Sequence, residues 1–486
     1  MANQVKQITE TEGGGSSWNP SGLGMTSFGE SPAGSSVAKL AEKVVLQRLN
    51  EEVEDRNVLP HEQVGFRREH STELQALRLV KNTIHELNTN KKVHIVLLEI
   101  SKTFDRVWHE VKGKTYEFTT GAKVAVSTWH GCVVEVKGKT YVIYTAKVAP
   151  MVMYSNCHGA LEFMRTDAKK YNERGPIAMV VGPSDVGKST ICRLLLNYAV
   201  RMGRRPIFVD LDVGQGHISI PGTIGALMIE RPASIDEGFS QEAPLVYNFG
   251  DKTPGSNITL FNMLVQQLAG AVKERLEVNK RTRSSGAIIN TCGWTKAEGY
   301  KQLLSSAKCF EVDVIFVLDQ ERLYNELVRD VPNFNVVFLP KSGGVVERSK
   351  RVRGEARDQR TREYFYGTPS DSLYPHSFDV KFFEVKIFKV GAPALPESCL
   401  PLGMKADDHM TKLVLLSPNA GLLHHILAVS VSEKTYNEVV SSHVAGFVCV
   451  TNVDTERQIL TLLSPQPKPL PNHILVLSKL QFMDTH

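Results

Sequence analysis

Within VGPSDVGKST, residues 181–190, the residues Gly182, Gly187, Lys188 and Ser189 stand in the order Gly-x-x-x-x-Gly-Lys-Ser. Residue types at this spacing can hold a chain of phosphates. The glycines let the backbone wrap until several N–H groups converge on anionic oxygens, and a helix starting at the loop adds the positive end of its dipole. Lys188 can then reach the β- and γ-phosphates, the Ser189 hydroxyl suits Mg2+, and Thr190 offers one more hydroxyl in the first turn. A second stretch, VDLDVGQG at 209–216, ends an apolar run in two acids. An acid at the end of a strand beside a phosphate loop supports Mg2+ or orients a phosphate acceptor. Asp210 and Asp212 share side-chain parity on a strand, so spacing leaves both open. Gly214 and Gly216 then permit a close turn around a ligand.

The elements needed to position these groups are legible around them. PIAMVV (176–181) reads as a strand entering the loop, and STICRLLLNYAVRMG (189–203) as the helix leaving it. NCHGALEFMRTDAKKYNERG (156–175) reads as a preceding helix, and RPIFVDLDV, GAIINT, VDVIFVL and NVVFLP as further strands with helical stretches between them. Short apolar runs alternating with helices predict a parallel sheet covered on both faces. From about residue 376 onward, FFEVKIFKV, KLVLLSP, HHILAVSV, GFVCVTNVD and RQILTLLSP predict a mainly β domain.

Composition narrows the class. The 486 residues are 42% hydrophobic and 22% charged, with a formal net charge of +5. These are the proportions of a soluble globular protein of two to four domains. No apolar run reaches the roughly 18 residues that span a bilayer, so no membrane partner is expected. The start, MANQVKQITETEGGG, lacks the basic-then-apolar pattern of a secretory signal. Seven cysteines are scattered without a Cys-x-x-Cys pair, which argues for buried thiols and against a zinc site. One local charge cluster breaks the overall balance: Lys341 to Arg362 holds eight Lys/Arg against three Asp/Glu. Part of it, Arg357, Arg360 and Arg362, also fits a solvated helix face.

The N-terminal third is of different character. Residues 1–38 are rich in Gly, Ser and Pro and read as a disordered tail. Residues 39–110, with LPHEQVGFRREHST and LEISKTFDRVWH, resemble the finger and early palm segments of a non-LTR retrotransposon reverse transcriptase. Polymerase chemistry needs carboxylates around two metal ions. Glu99 stands where that family has its first Asp, and the chain has no Tyr-x-Asp-Asp hairpin, so the fragment is expected to be inactive. EVKGKTY occurs at 110–116 and again at 135–141, and the alternating residues around it predict a small β domain over 111–156. The repeat begins where the polymerase-like piece stops, as a duplicated join would.

From about residue 117 to the end, many separate segments resemble, in order, the polyribonucleotide 5′-hydroxyl kinase family, a subunit of the pre-mRNA cleavage-and-polyadenylation machinery. They include GPSDVGKSTICRLLLNYAVRMG, VDLDVGQGHISIPGTIGALMIERP, NFGDKTPGSNITLFN, IINTCGWTKAEGY, LPKSGGVVERSKRVR and LSPQPKPLPNHILVLSKLQFMD. The resemblance implies an α/β fold: a P-loop NTPase core with a parallel sheet at 157–375, a truncated N-terminal β domain before it, and a C-terminal β domain at 376–486. It implies ATP and Mg2+ as cofactors, with Gly182, Asp185, Val186, Gly187, Lys188, Ser189 and Thr190 at the nucleotide and Ser189 at the metal. It places the acceptor-activating acid at Asp212, with Gln215 beside it. Thr253, Gly255 and Asn257 match a nucleic-acid clasp, and Trp294 a tryptophan that stacks on a terminal base, where one residue alone would read as core. Arg348 and Arg353 match the arginines of a lid that neutralises the transferring phosphoryl group.

The same resemblance implies partners: RNA 5′ ends, a scaffold subunit of the mRNA cleavage factor and the tRNA splicing endonuclease, all pointing to a nuclear address. The expected activity is ATP-dependent phosphorylation of an RNA 5′-hydroxyl. Some family members bind ATP as catalytically silent scaffolds, which gives the alternative. A GTPase switch is excluded, because the Asn-Lys of the core, at Asn279, lacks the acid of a guanine reader.

Overall fold

The computed structural model describes residues 149–483, apart from 234–237, 242, 369–370, 394–408 and 433–435. The chain divides into two units, Met1–Thr145 and Ala146–His486. The tail at 1–38, the polymerase-like stretch at 39–110 and all but the last residues of the β domain at 111–156 lie outside the described residues.

Helix α1 (Met151–Tyr171) leads into β1 (Ile177–Val181), and α2 (Lys188–Arg201) follows the phosphate loop. The helix therefore starts at Met151, and the expected domain limit at 156/157 falls inside it. Next come β2 (Ile207–Asp210), β3 (Thr223–Met228), β4 (Leu245–Asn248), α3 (Ile258–Val278), the short α4 (Lys280–Ser285) and β5 (Ala287–Asn290). The core is completed by α5 (Glu298–Cys309), β6 (Val314–Leu318), α6 (Glu321–Asp330), β7 (Asn335–Leu339) and α7 (Lys350–Tyr366).

These strands form one seven-stranded sheet in the order β4-β3-β2-β5-β1-β6-β7. β2, β5, β1, β6 and β7 run parallel, as the alternation of strands and helices predicts. β3 and β4 extend it antiparallel at the β2 side, two strands that the sequence reading did not identify. Every residue of β1 is buried. Its side chains serve two cores, Ala178 and Val180 on the face of α1 and α2, and Ile177, Met179 and Val181 on the face of α3 and α5. That is the period-2 geometry of a strand covered on both sides.

The second sheet holds β8 (His376–Lys381), β9 (Lys386–Val390), β10 (Leu413–Leu416), β11 (His425–Ser430), β12 (Val444–Asp454), β13 (Ile459–Ser464) and β14 (Ile474–Gln481), with α8 (Tyr436–Ser441) between β11 and β12. Its order is β10-β9-β14-β11-β12-β13-β8, all antiparallel except β14 with β9. β8 and β14 were likewise absent from the strand assignment by sequence.

The two sheets are joined through α7. Phe365 is fully buried and stacks on Phe482, with ring centroids 5.5 Å apart. Tyr364 packs edge-on to Phe447, whose backbone N–H donates to the Tyr364 hydroxyl at 2.8 Å. Phe365→Ala is therefore expected to destabilise the protein by about 3–5 kcal/mol, the usual loss for a buried aromatic. Denaturant unfolding of the variant against wild type measures it.

Candidate functional site

β1 ends directly in the loop, and the loop's shape follows from its glycines. Gly182 has φ 151 and Gly187 φ 94, and a Cβ on Gly182 would lie 2.7 Å from the Leu318 carbonyl oxygen. Asp185 also adopts a left-handed conformation, φ 57, which Asp tolerates better than most residues. Gly187 caps α2, so the first free N–H groups of that helix open at the loop. Lys188 is the first helical residue; it is buried, and its Nζ donates to the Pro183 carbonyl oxygen at 2.7 Å. Burial lowers its pKa, while the Asp212 charge opposes that shift. Ser189 is half-buried at the mouth of the loop and Thr190 exposed.

The two acids of VDLDVGQG have separate fates. β2 stops at Asp210, so the strand parity that left the two acids equivalent does not extend to Asp212. Asp210 is buried with both oxygens engaged: Oδ1 accepts from the Asp212 N–H and from Asn290 Nδ2, and Oδ2 accepts from the His217 N–H. His217 Nδ1 lies 3.2 Å from the same Oδ2. Burial pushes the Asp210 pKa up, but the bonds and charge of His217 and the Asn290 amide outweigh it, and the net shift is downward. Asp212 is half-buried, and its Oδ1 accepts from the Gly214 N–H at 2.9 Å. Burial first, and then the Asp210 charge, raise the Asp212 pKa. Asp210 is thus a fastener, and Asp212 the acid whose protonation its surroundings tune. Cys292 sits within electrostatic range of Asp212, and burial with that charge pushes its thiol up to about 11, which keeps it protonated.

The basic segment reaches the loop from far along the chain. Arg348 Nε donates to Asp185 Oδ1 at 2.9 Å, the Arg348 backbone N–H to Oδ2 at 3.0 Å, and Arg353 Nη2 to Oδ2 at 2.6 Å. Arg348 Nη1 also donates to Gln215 Oε1 at 3.3 Å. Ser349 caps α7, which places Arg353 in its first turn. Two turns on, Arg360 Nη2 donates to the His217 carbonyl at 2.9 Å and Nη1 to Glu363. Arg360 therefore pairs along its own helix, as a helix face allows, and also anchors that helix to the acid-bearing loop.

Trp294 meets the loop that carries Thr253 and Gly255. A Cβ on Gly255 would lie 3.3 Å from Trp294 Cη2, and Gly299 backs the rest of the indole too closely for any side chain. A small pocket of about 20 Å3 lies beside them, lined by Leu211, Pro254, Phe261, Cys292, Trp294 and Gln302 among others. Thr253 is exposed, and its N–H donates to Asp251 Oδ1. The C-terminal domain braces this loop: Lys479 Nζ lies 2.8 Å from Asp251 Oδ2, and the Lys479 N–H donates to the Gly250 carbonyl.

Three of the expected site residues have side chains engaged within the protein. Val186 is buried in the core beside Gly182, so only its backbone is free to face a nucleotide. Asp185 spends its carboxylate on the arginines. Asn257 caps α3 through Oδ1 and donates through Nδ2 to the Met410 carbonyl at 2.7 Å, so its side chain is committed to structure.

A sequence profile described as the P-loop region of mRNA cleavage and polyadenylation factor CLP1 matches residues 182–367. A second, for pre-mRNA cleavage complex II protein Clp1, matches 373–484. A third, for the N-terminal β-sandwich domain of polyadenylation factor, matches 73–168 and so overlaps part of the polymerase-like stretch. A CLP1 homolog of Anopheles gambiae is 62% identical over 400 residues, which cover 82% of this chain and 94% of that protein. The chain belongs to the CLP1 family. A homolog from Aedes aegypti is 60% identical over the same shares of the two chains. Among solved structures, one described as wild-type Clp1p–Pcf11p complex aligns with TM-score 0.60 at 24% identity, covering 69% of this chain and 80% of that one. Another, described as the extended interface between Pcf11p and Clp1p and the structural basis for ATP loss in a glycine-to-arginine point mutant, aligns with TM-score 0.60 at 25% identity, covering 68% and 80%.

The P-loop domain of this chain fits the phosphates of a nucleotide. The glycine cradle admits no Cβ at Gly182, and the buried Lys188 ammonium lies against the loop, donating to the Pro183 carbonyl. Among the described residues no cluster of three His, Cys, Asp or Glu is poised to hold a metal ion. A Mg2+ ion accompanying a nucleotide usually takes few protein ligands and several phosphate oxygens, and Ser189 is the residue that could serve it here. Sequence reasoning missed Asn290, His217 and Arg360 as supports, and also Gly293, where any Cβ would collide with Ser184 of the loop. The glycine in TCGW was the available signal for that close approach.

Proposed function

We propose that the chain is an ATP-dependent polynucleotide 5′-hydroxyl kinase acting on RNA. The observation that carries this reading is the closure of Arg348 and Arg353 onto the phosphate loop, 163 and 168 residues away from Asp185. A protein that only stores ATP has no need for two guanidinium groups beside the site of charge transfer, whereas phosphoryl transfer rewards them. Bound Mg2+ would neutralise charge on the β- and γ-phosphates. Lys188 would do the same from the loop, and Asp212 would accept a hydrogen bond from the RNA 5′-hydroxyl and hold it in line. Gln215, Gly255 and Trp294 line the approach for the acceptor, with Thr253 at its rim.

The P-loop protein of a cleavage-and-polyadenylation family acts in the nucleus, and we place this chain in pre-mRNA 3′-end processing with a cleavage-factor scaffold subunit, Pcf11-like by analogy with the solved complexes. RNA ends made by the tRNA splicing endonuclease are a second source of substrate. Residues 39–110 we read as catalytically silent, since Glu99 replaces the first Asp and no Tyr-x-Asp-Asp follows.

The deciding experiment incubates the full-length chain with a 5′-hydroxyl RNA and ATP labelled at the γ- or the α-phosphate. Label from the γ-position alone on the RNA supports the kinase. Bound ATP without transfer would favour the scaffold reading, in which nucleotide serves assembly. Trp294→Ala is expected to raise KM for RNA by about 5- to 150-fold, from a stacking energy of roughly 1–3 kcal/mol, with KM for ATP unchanged. Steady-state kinetics in both substrates test this.

A further inference from the structure

An aspartate at the tip of a phosphate loop sets a negative charge beside the place where a polyanion is to bind, which by Coulomb's law opposes binding. Asp185 has a compensating use. Its side chain is only 3% exposed, and its two oxygens take three donors from the basic segment: Arg348 Nε, Arg353 Nη2 and the Arg348 backbone N–H. Both oxygens are engaged, so the carboxylate is turned to the lid. Arg348 continues to Gln215, which ties the phosphate loop, the basic segment and the loop after β2 into one unit. Arg353 Nε is buried without a hydrogen-bond partner, so this guanidinium keeps a desolvated donor in hand. Each guanidinium has five N–H donors, and Asp185 takes one from each. Gln215 takes one more from Arg348, and the others can face phosphoryl oxygens.

We propose that Asp185 is a positioning residue, a latch that seats Arg348 and Arg353 over the phosphate loop before nucleotide arrives. Two like charges brought together in a partly dry site repel each other and would splay apart in the free protein. A shared carboxylate holds them at short range in charge-assisted bonds, which are stronger and more directional than neutral ones. The lid arginines then meet the substrate already placed, and the entropy of ordering them is spent at folding, not in the transition state. The catalytic consequence rests on the kinase reading. The latch itself does not.

The variant that isolates the charge is Asp185→Asn. Asn suits the left-handed backbone at this position, keeps the side-chain volume and retains one carbonyl oxygen. The first readout is amide hydrogen exchange in the ligand-free, full-length protein, because the Arg348 N–H is itself one of the three donors. Exchange across 342–353 is expected to rise about tenfold or more, as befits loss of hydrogen bonds to a charged group. The second readout is kinetic: kcat about 10- to 100-fold lower, with KM for ATP within about threefold. Unchanged exchange overturns the latch, whatever the kinase assay gives. Unchanged exchange with lost ATP affinity would show Asp185 binding nucleotide directly, which also overturns it. If wild type transfers no phosphate, the kinase reading falls while the exchange result still decides the latch. Should Asp185→Asn fail to fold, Arg353→Gln removes one donor from the other side. Its exchange must then rise at Arg348, and no rise sinks the proposal.

Discussion

Asp212→Asn is expected to lower phosphoryl transfer by about 10^2- to 10^4-fold, the usual share of a positioned base, and to raise the melting temperature. The second half of this result follows from the first half's cause. Burial and the neighbouring Asp210 charge raise the Asp212 pKa in the folded protein. A carboxyl whose pKa is higher folded than unfolded binds more protons in the native state, so stability falls as pH rises from its unfolded value through its folded one. At neutral pH the ionised Asp212 is a net cost to the fold, and the neutral amide removes it. The same shift fixes the pH profile of the wild type. Transfer needs the ionised acceptor, so kcat/KM should fall on acidification around a pKa above the ordinary carboxylate value. Replacing the neighbour, Asp210→Asn, takes away one of the two causes and should move that limb to lower pH. A variant that loses activity and stability together would indicate a structural carboxylate at 212, and would return the base role to Asp210.

Why the sequence could not choose between these acids is a matter of where a strand stops. Parity arguments hold only while the backbone stays extended, and β2 ends at Asp210. The turn that follows, tied by the Asp212 N–H to Asp210 Oδ1, is a product of tertiary contacts with Asn290 and His217. The phosphate loop was legible because everything that shapes it is local: an apolar strand, two glycines at positive φ and a helix that begins at Lys188. The parallel core strands were legible for the same reason, as unbroken apolar runs. β3 and β4 were not, since TIGALM and LVYN are short and their antiparallel pairing is set by β2. The contacts that Asp185 and Asn257 make within the protein were not legible either. Their partners, Arg348 and Met410, lie 163 and 153 residues distant in sequence. No pattern of spacing carries that information.

Lys188→Met should lower transfer by about 10^3-fold or more and leave the fold intact. Charged donors aimed at a transferring phosphoryl group are worth about 10^2- to 10^5-fold each in related chemistry. Lys188 is the one such group on the loop itself, buried at the first turn of α2. Its burial depresses its pKa, so holding the ammonium charged there costs the native state free energy. Methionine keeps the apolar stem and drops the charge. The bond lost with it, from Nζ to the Pro183 carbonyl, is one that water can replace, because Pro183 is only half-buried. Stability should accordingly stay within about 1 kcal/mol of wild type. Single-turnover transfer and denaturant unfolding, measured on the same preparation, separate the two effects. Lost transfer with an unchanged unfolding midpoint assigns the loss to chemistry at the loop. Transfer at the wild-type rate would instead place the kinase reaction somewhere other than the loop beginning at Gly182. A fall in both would mean that the ammonium holds the empty loop in shape, and that its carbonyl bond, weak as it looks, is part of the fold.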